Sequence, residues 1–194
     1  MLKLGELDTK SYYIVRQLVR DPRSSDNEIS RKTGIPLRTV NRKRKELEEK
    51  GLISYFTYLH AFKDGLNHFH ARSLVTIKLR LGITKSMLSN FLESSEQMIL
   101  FNSKHVFESH IGESSGYVVM VMIIESMKHE DIVEILNAET VPNLNQAFGR
   151  DAVIDMSVIE LTSSVRLLHN YLPARNMEKG RIKKDWDNKY IYIT

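Results

Sequence analysis

Apolar positions recur along this chain with two different periods, and the change of period divides it. From Leu7 to Gly51 the spacing is helical. Ser11, Ile14, Val15 and Leu18 stand at i, i+3, i+4 and i+7, the buried face of a helix that opens at Leu7-Asp8, with Asp8 as N-cap, and stops at Pro22. Ser25-Asp26-Asn27-Glu28 is a capping-box pattern that starts a second helix, and Gly34 closes it as a left-handed C-cap. Pro36 suits the start of a third helix, where its fixed φ and missing N–H do no harm, and Gly51 ends that helix. Leu52 to Leu59 is β-rich and predicts a wing or connecting strand. His60 to His68 surrounds Lys63-Asp64-Gly65 and reads as a linker.

Beyond the linker, strands enter the pattern. Leu74 to Leu81 alternates, with Lys78 and Arg80 on its polar face. Met87, Leu88, Phe91 and Leu92 place a helix over Ser86 to Glu96. Met98 to Ile111 is apolar-rich and reads as extended. Glu113 to Gly116 is a turn, and Tyr117 to Ile124 is a buried strand. Ile132, Val133, Ile135 and Leu136 lie on a helix starting near Met127, and Val153 to Leu161 is a final alternating strand. This βαββαβ order predicts a ferredoxin-like domain, two helices on one face of an antiparallel sheet. In the tail, Val165 to Leu172 reads as a short helix stopped by Pro173, followed by a basic stretch with Trp186 and the run Tyr190 to Ile193. The expected class is α+β. The expected divisions are a helix-turn-helix domain at 1–59, a linker at 60–68, a ferredoxin-like domain at 69–162 and a basic extension at 163–194.

Charge adds a second division. Residues 1–56 hold 13 Lys+Arg against 8 Asp+Glu, residues 57–162 hold 8 against 13, and residues 163–194 hold 7 against 3. A basic head, an acidic middle and a basic tail point to separate partners. The absence of cysteine excludes disulfides, thiolate zinc sites and cysteine nucleophiles. The longest apolar run, Tyr117 to Ile124, is too short to span a bilayer, and the first ten residues lack a signal-peptide core. The expectation is a cytoplasmic protein with no membrane partner.

The third helix carries the chemistry. With Val40 and Leu47 inward, Arg38, Arg42 and Lys45 fall on the opposite face, with Asn41 beside them. From Arg38 to Lys45 there are five basic residues and no acid, and Glu46, Glu48 and Glu49 follow. That order opposes the helix dipole, so a merely solvated helix gains nothing from it. A helix entering the major groove of DNA does need it, because Arg and Asn can bind guanine and adenine edges bidentately while Lys and Thr suit phosphates. A basic face with no partner is the alternative. The capping box, the turn glycine, the reversed charge order and the following strand together argue against it.

Leu7-Asp8, Arg23, Glu28-Ile29, Gly34, Thr39-Val40, Lys43, Leu47-Glu48 and Gly51-Leu52-Ile53 resemble the N-terminal half of the Lrp/AsnC transcription regulators. The βαββαβ half is similar to that family's effector and oligomerisation domain. The resemblance implies a winged helix-turn-helix on double-stranded DNA, dimers built through the sheet and larger tetramers or octamers. It also implies no cofactor and no catalytic residue. Arg23, Ser25, Arg38, Thr39, Asn41, Arg42, Lys43 and Lys45 become the DNA-binding candidates. Gly112, Glu113, Ser114, Ser115 and Gly116 become the small-molecule effector candidates, with Ser where the family commonly has Asp. Pro36 stands where the family usually has a capping Ser, and Arg44 where it usually has an apolar residue. A snorkelled Arg44 is the expected solution, with a phosphate or an acidic partner as the others.

A siroheme-decarboxylase-like enzyme on the same architecture is the rival, with His68, His70, Arg72 and His105 as its candidates. His68 and His70 share one side of a strand, but no third metal ligand is evident, so no metal is expected. The tail bases Arg175, Lys179, Arg181, Lys183 and Lys184 suit either phosphate contacts or a docked tail, and Trp186 with the final aromatics favours docking.

Overall fold

The structure, a computed structural model, describes residues 7–57 and 71–193. Contacts divide the chain into two compact units, residues 1–58 with 164–194, and residues 59–163. The whole of the expected linker, with His60 and His68, and also His70, lies outside the described residues.

In the first unit, α1 (Thr9–Arg20), α2 (Asp26–Thr33) and α3 (Leu37–Glu49) enclose a small core of Ile14, Leu18, Ile29, Ile35 and Val40, with Ile53 packed against it. Local chemistry sets their ends. The Asp8 carboxylate accepts the amides of Lys10 and Ser11 at the head of α1. Ser25 and Glu28 form both halves of a capping box on α2, and Gly34 closes it at φ 71°. At the end of α3, Gly51 at φ 65° forms a Schellman closure, its amide bonding Glu48 O at 2.9 Å and the Leu52 amide bonding Leu47 O at 2.9 Å. Pro36 leaves the start of α3 without a side-chain cap.

The segment from Leu52 to Thr57 is not a strand, contrary to the sequence reading. β-Propensity yields a strand only against a partner edge, and instead Ile53 joins the helical core while the Tyr55 hydroxyl bonds side chains of α3. Val165 to Leu172 is likewise not a helix. Leu167 and Tyr171 pair as an isolated bridge across a turn with Leu168 at φ 52°. The buried Asn176 organises this loop, its amide group donating to Asn170 O and its Oδ1 accepting the Leu172 amide, both at 2.9 Å.

In the second unit, β1 (Ala71–Leu79), α4 (Lys85–Ser94), α5 (Glu96–His105), β2 (Val106–Ser114), β3 (Tyr117–Ser126), α6 (His129–Ile135), a π-helical turn (Leu136–Thr140), α7 (Val141–Phe148) and β4 (Val153–Glu160) follow in order. The sheet is antiparallel with strand order β2-β3-β1-β4, the ferredoxin-like arrangement. Along β1 alternate residues Ala71, Ser73, Val75, Ile77 and Leu79 are buried against the helices, with Leu88, Met98, Phe101, Ile132, Leu136 and Leu144. The π-helical turn directly precedes α7, whose second residue is Pro142, and the missing N–H there cannot close an ordinary helical turn.

One element here was misread. The run from Met98 was expected to be extended, yet residues to His105 form α5, capped by Ser95 on the Met98 amide at 3.3 Å. Its inward residues are Met98 and Phe101, three apart, while Ile99 and Leu100 face solvent. The apolar density therefore hides the helical period. Accordingly Phe101→Ala should cost about 3–5 kcal/mol of stability and Ile99→Ala well under about 1.5 kcal/mol, checked by urea unfolding. An extended segment would bury alternate residues and give a different ranking.

Candidate nucleic-acid interface

The three helices at 9–49 present one outward basic face, and its position depends on two cations that do not belong to it. Lys43 Nζ turns inward to Asp8 Oδ2 at 2.6 Å and Ser11 Oγ at 3.2 Å, tying α3 to the start of α1. Arg44 ties α3 to the start of α2, its Nη1 donating to Ser24 O at 3.0 Å and Asp26 Oδ1 at 3.1 Å. Its Nε donates to Glu48 Oε1 at 3.0 Å and to the Tyr55 hydroxyl at 3.2 Å, and the guanidinium lies over the Tyr55 ring. Of the three options open to Arg44, an acidic partner is the one found.

Electrostatics follow these contacts. Hydrogen bonds from Lys43, then from Ser11, hold the Asp8 carboxyl well below the usual carboxylate range, against a smaller opposing effect of burial. Burial alone would lower the Arg44 guanidinium, but its bonds to Glu48 and Asp26 outweigh that and raise it. Burial also pushes the Tyr55 hydroxyl up.

The remaining candidates lie as follows. Arg38 is exposed and makes no ion pair among the described residues. Arg42 is exposed and loosely paired with Glu46 at 3.5 Å, and exposed Lys45 stands 3.7 Å from Glu49. Asn41 is exposed, its amide donating to Asp26 Oδ2 at 3.0 Å. Thr39 is half-buried. Arg23 is exposed in the corner between α1 and α2, and Ser25 is occupied as the cap of α2. Arg38, Asn41, Arg42 and Lys45 thus share the outer face, while Lys43 does not. Sequence reading missed Asp26 and Tyr55, which position Arg44, and missed the second role of Asp8. The only available signal was the presence of an arginine beside the buried stripe, which demands an acid somewhere in the fold.

In the second unit, Gly112 to Ser114 end β2 and Ser115-Gly116 form a two-residue turn with φ 51° and 80°. Glu113 pairs with Lys85 at 3.1 Å, and Glu113 to Gly116 are exposed. Of the enzyme candidates, Arg72 is ion-paired with Glu125 and lies over the Phe107 ring, while half-buried His105 packs on Phe101 and stands 4.0 Å from Glu139. Among the described residues no cluster of His, Asp or Glu could hold a metal ion, and no helix is long and apolar enough to cross a membrane.

Residues 7–54 match the family model for winged helix-turn-helix DNA-binding domains. No curated protein matches the sequence. Among solved structures, LrpC of B. subtilis is 14% identical, with a TM-score of 0.59, covering 84% of this chain and 99% of that one. A Pyrococcus furiosus transcriptional regulatory protein of the AsnC family is 16% identical, with a TM-score of 0.57 and coverage of 82% and 92%. A Neisseria meningitidis transcriptional regulator, solved as a complex with L-Met, is 13% identical, with a TM-score of 0.61 and coverage of 84% and 94%. The chain thus carries a winged helix-turn-helix DNA-binding domain followed by a ferredoxin-like domain, the two-part fold of the Lrp/AsnC regulators. The enzyme alternative is not favoured.

Lys43 should therefore act on stability. Replacing it with Met keeps the apolar stem and removes the ammonium, and should cost about 1 kcal/mol at neutral pH. Asp8 has a depressed folded pKa, so its contribution is present above its unfolded value and lost as pH falls. The difference between wild type and Lys43→Met should therefore shrink once pH drops below about 3.9. Urea titrations across that range measure it.

Proposed function

We propose that this chain is a sequence-specific transcription regulator of the Lrp/AsnC type, acting on double-stranded DNA as a homodimer in the cytoplasm. The observation that supports this most is the sorting of cations on α3. Lys43 and Arg44 are held by acids inside the fold, while Arg38, Arg42 and Lys45 stand outward with Asn41. In this reading α3 enters the major groove, Arg38, Asn41 and Arg42 read base edges, and Thr39, Lys45, Arg23 and Ser25 line the backbone. Lys43 sets the angle of the helix.

The open face of the sheet supports a dimer. Leu74, Val121, Ile123 and Ile159 are neighbours across β1, β3 and β4 on the side away from the helices, and Ile159 is 53% exposed. A second copy laid on this face would cover an apolar centre edged by Glu108, His110 and Asp155. Tetramers or octamers would require further faces. The hairpin end Gly112 to Gly116 is our candidate for a small-molecule effector, prompted by the L-Met complex of the Neisseria regulator. A Ser in place of the family's Asp argues for an effector other than a free amino acid.

Two substitutions test the division of labour on α3. Arg42→Ala should weaken binding by about 1–3 kcal/mol and relax preference at one base position. Lys45→Ala should weaken all sequences equally and lower the salt slope by about 0.9. Wild-type affinity and specificity in Arg42→Ala would end the assignment. Separately, Ile123→Asp should convert the dimer to a monomer in sedimentation equilibrium.

A further inference from the structure

The tail is part of the DNA-binding unit, and it brings charge to a definite place. Arg20, the last residue of α1, is committed to it. Its Nε and Nη2 donate to Asn188 Oδ1 at 2.9 and 2.7 Å, its Nη1 donates to Lys183 O at 3.2 Å, and its Nη2 also meets Trp186 O. The Tyr171 hydroxyl donates to Val19 O at 3.1 Å, and Ile182 and Ile191 are buried. The segment is anchored at several points along its length.

Within it, β5 (Met177–Glu178) and β6 (Arg181–Ile182) form a hairpin through Lys179-Gly180, both at positive φ, 50° and 78°. The two-residue turn makes a short, stiff tip. Arg181 Nη1 lies 3.4 Å from Asp21 Oδ2, while Asp21 Oδ1 accepts the Arg23 amide at 3.1 Å. One carboxylate therefore joins the hairpin, at the residue that follows its turn, to the corner that leads into α2. Arg23 and Arg181 are exposed at that junction, and Lys179 and Lys184 are exposed in the turn and just after the hairpin, with Glu178 and Asp185 beside them in sequence. Lys183 and Arg175 are taken up inside the tail, by Arg175 O and the Trp186 ring.

In a helix-turn-helix bound to DNA, the helix before the recognition helix crosses the phosphate backbone. Here that helix is α2, and the hairpin is fixed at its entrance. We propose that the Met177–Ile182 hairpin, with Lys184, is a wing that grips the phosphate backbone of double-stranded DNA on the α2 side. It would add sequence-independent affinity to that of Thr39 and Lys45 on α3. The proposal rests on the regulator reading above, and a prefolded tip avoids most of the ordering cost of a loose basic tail.

The test uses the full chain, a duplex recovered by selection from a random pool and a scrambled duplex of the same length. Lys179→Gln with Lys184→Gln should weaken binding to both duplexes by the same factor and lower the salt slope by about 1.8. The selected sequence and the melting temperature should stay unchanged. Arg20→Ala, which removes the bonds to Lys183, Trp186 and Asn188 and so loosens the tail, should lower the slope in the same direction. An unchanged slope in the double variant, while Arg42→Ala still relaxes specificity, overturns the wing and leaves the regulator reading standing. Failure of the wild type to bind either duplex overturns both.

Discussion

The DNA-binding unit depends on two adjacent cations on α3 that point into the protein. Lys43 and Arg44 sit side by side, about 100° apart around the helix axis, and each reaches an acid in the opening turn of a different helix. Asp8 heads α1 and Asp26 heads α2. The apolar core they flank is small and on its own would leave the rotation of α3 loosely set. Two charge-assisted bonds, one on each side of the Val40–Leu47 stripe, fix that rotation. Both acids also lie where helix dipoles favour negative charge. Once these two cations are bound, Arg38, Asn41, Arg42 and Lys45 have only the outer face left to occupy.

The same economy of charge runs through the rest of the unit. Arg20 is used as an anchor for the tail, and Asp21 serves the tail with one oxygen and the α1–α2 corner with the other. Among its described residues the acidic sheet domain offers no comparable cationic face. It offers the apolar side of a sheet whose other side is filled by helices, which suits a second copy of the chain. The faces proposed for recognition and for assembly thereby lie on separate units.

Much of this was legible in the sequence because it is written locally. Asp8, Ser25-Glu28, Gly34 and Gly51 punctuate helices through contacts within a few residues, and the two-residue alternation of β1 and β4 needs no partner to be seen. What was not legible depends on distance or on masked periodicity. α5 hides its two inward residues among outward apolar ones. Leu52 to Thr57 has strand propensity but no edge to pair with. The Arg44–Asp26 tie spans 18 residues and the Arg20–Asn188 tie 168, with no local signal for either. The tail loop is organised by a buried Asn176, a residue that would pass for a surface one in any composition count.

On the reading proposed above, the outward face of α3 reads DNA sequence in pairs. Selecting bound duplexes from a random pool with the intact protein tests it most directly. A near-palindrome whose half-sites lie about one helical turn, roughly 34 Å, apart should be enriched. Enrichment of no sequence, or of a single half-site without its mate, would contradict it.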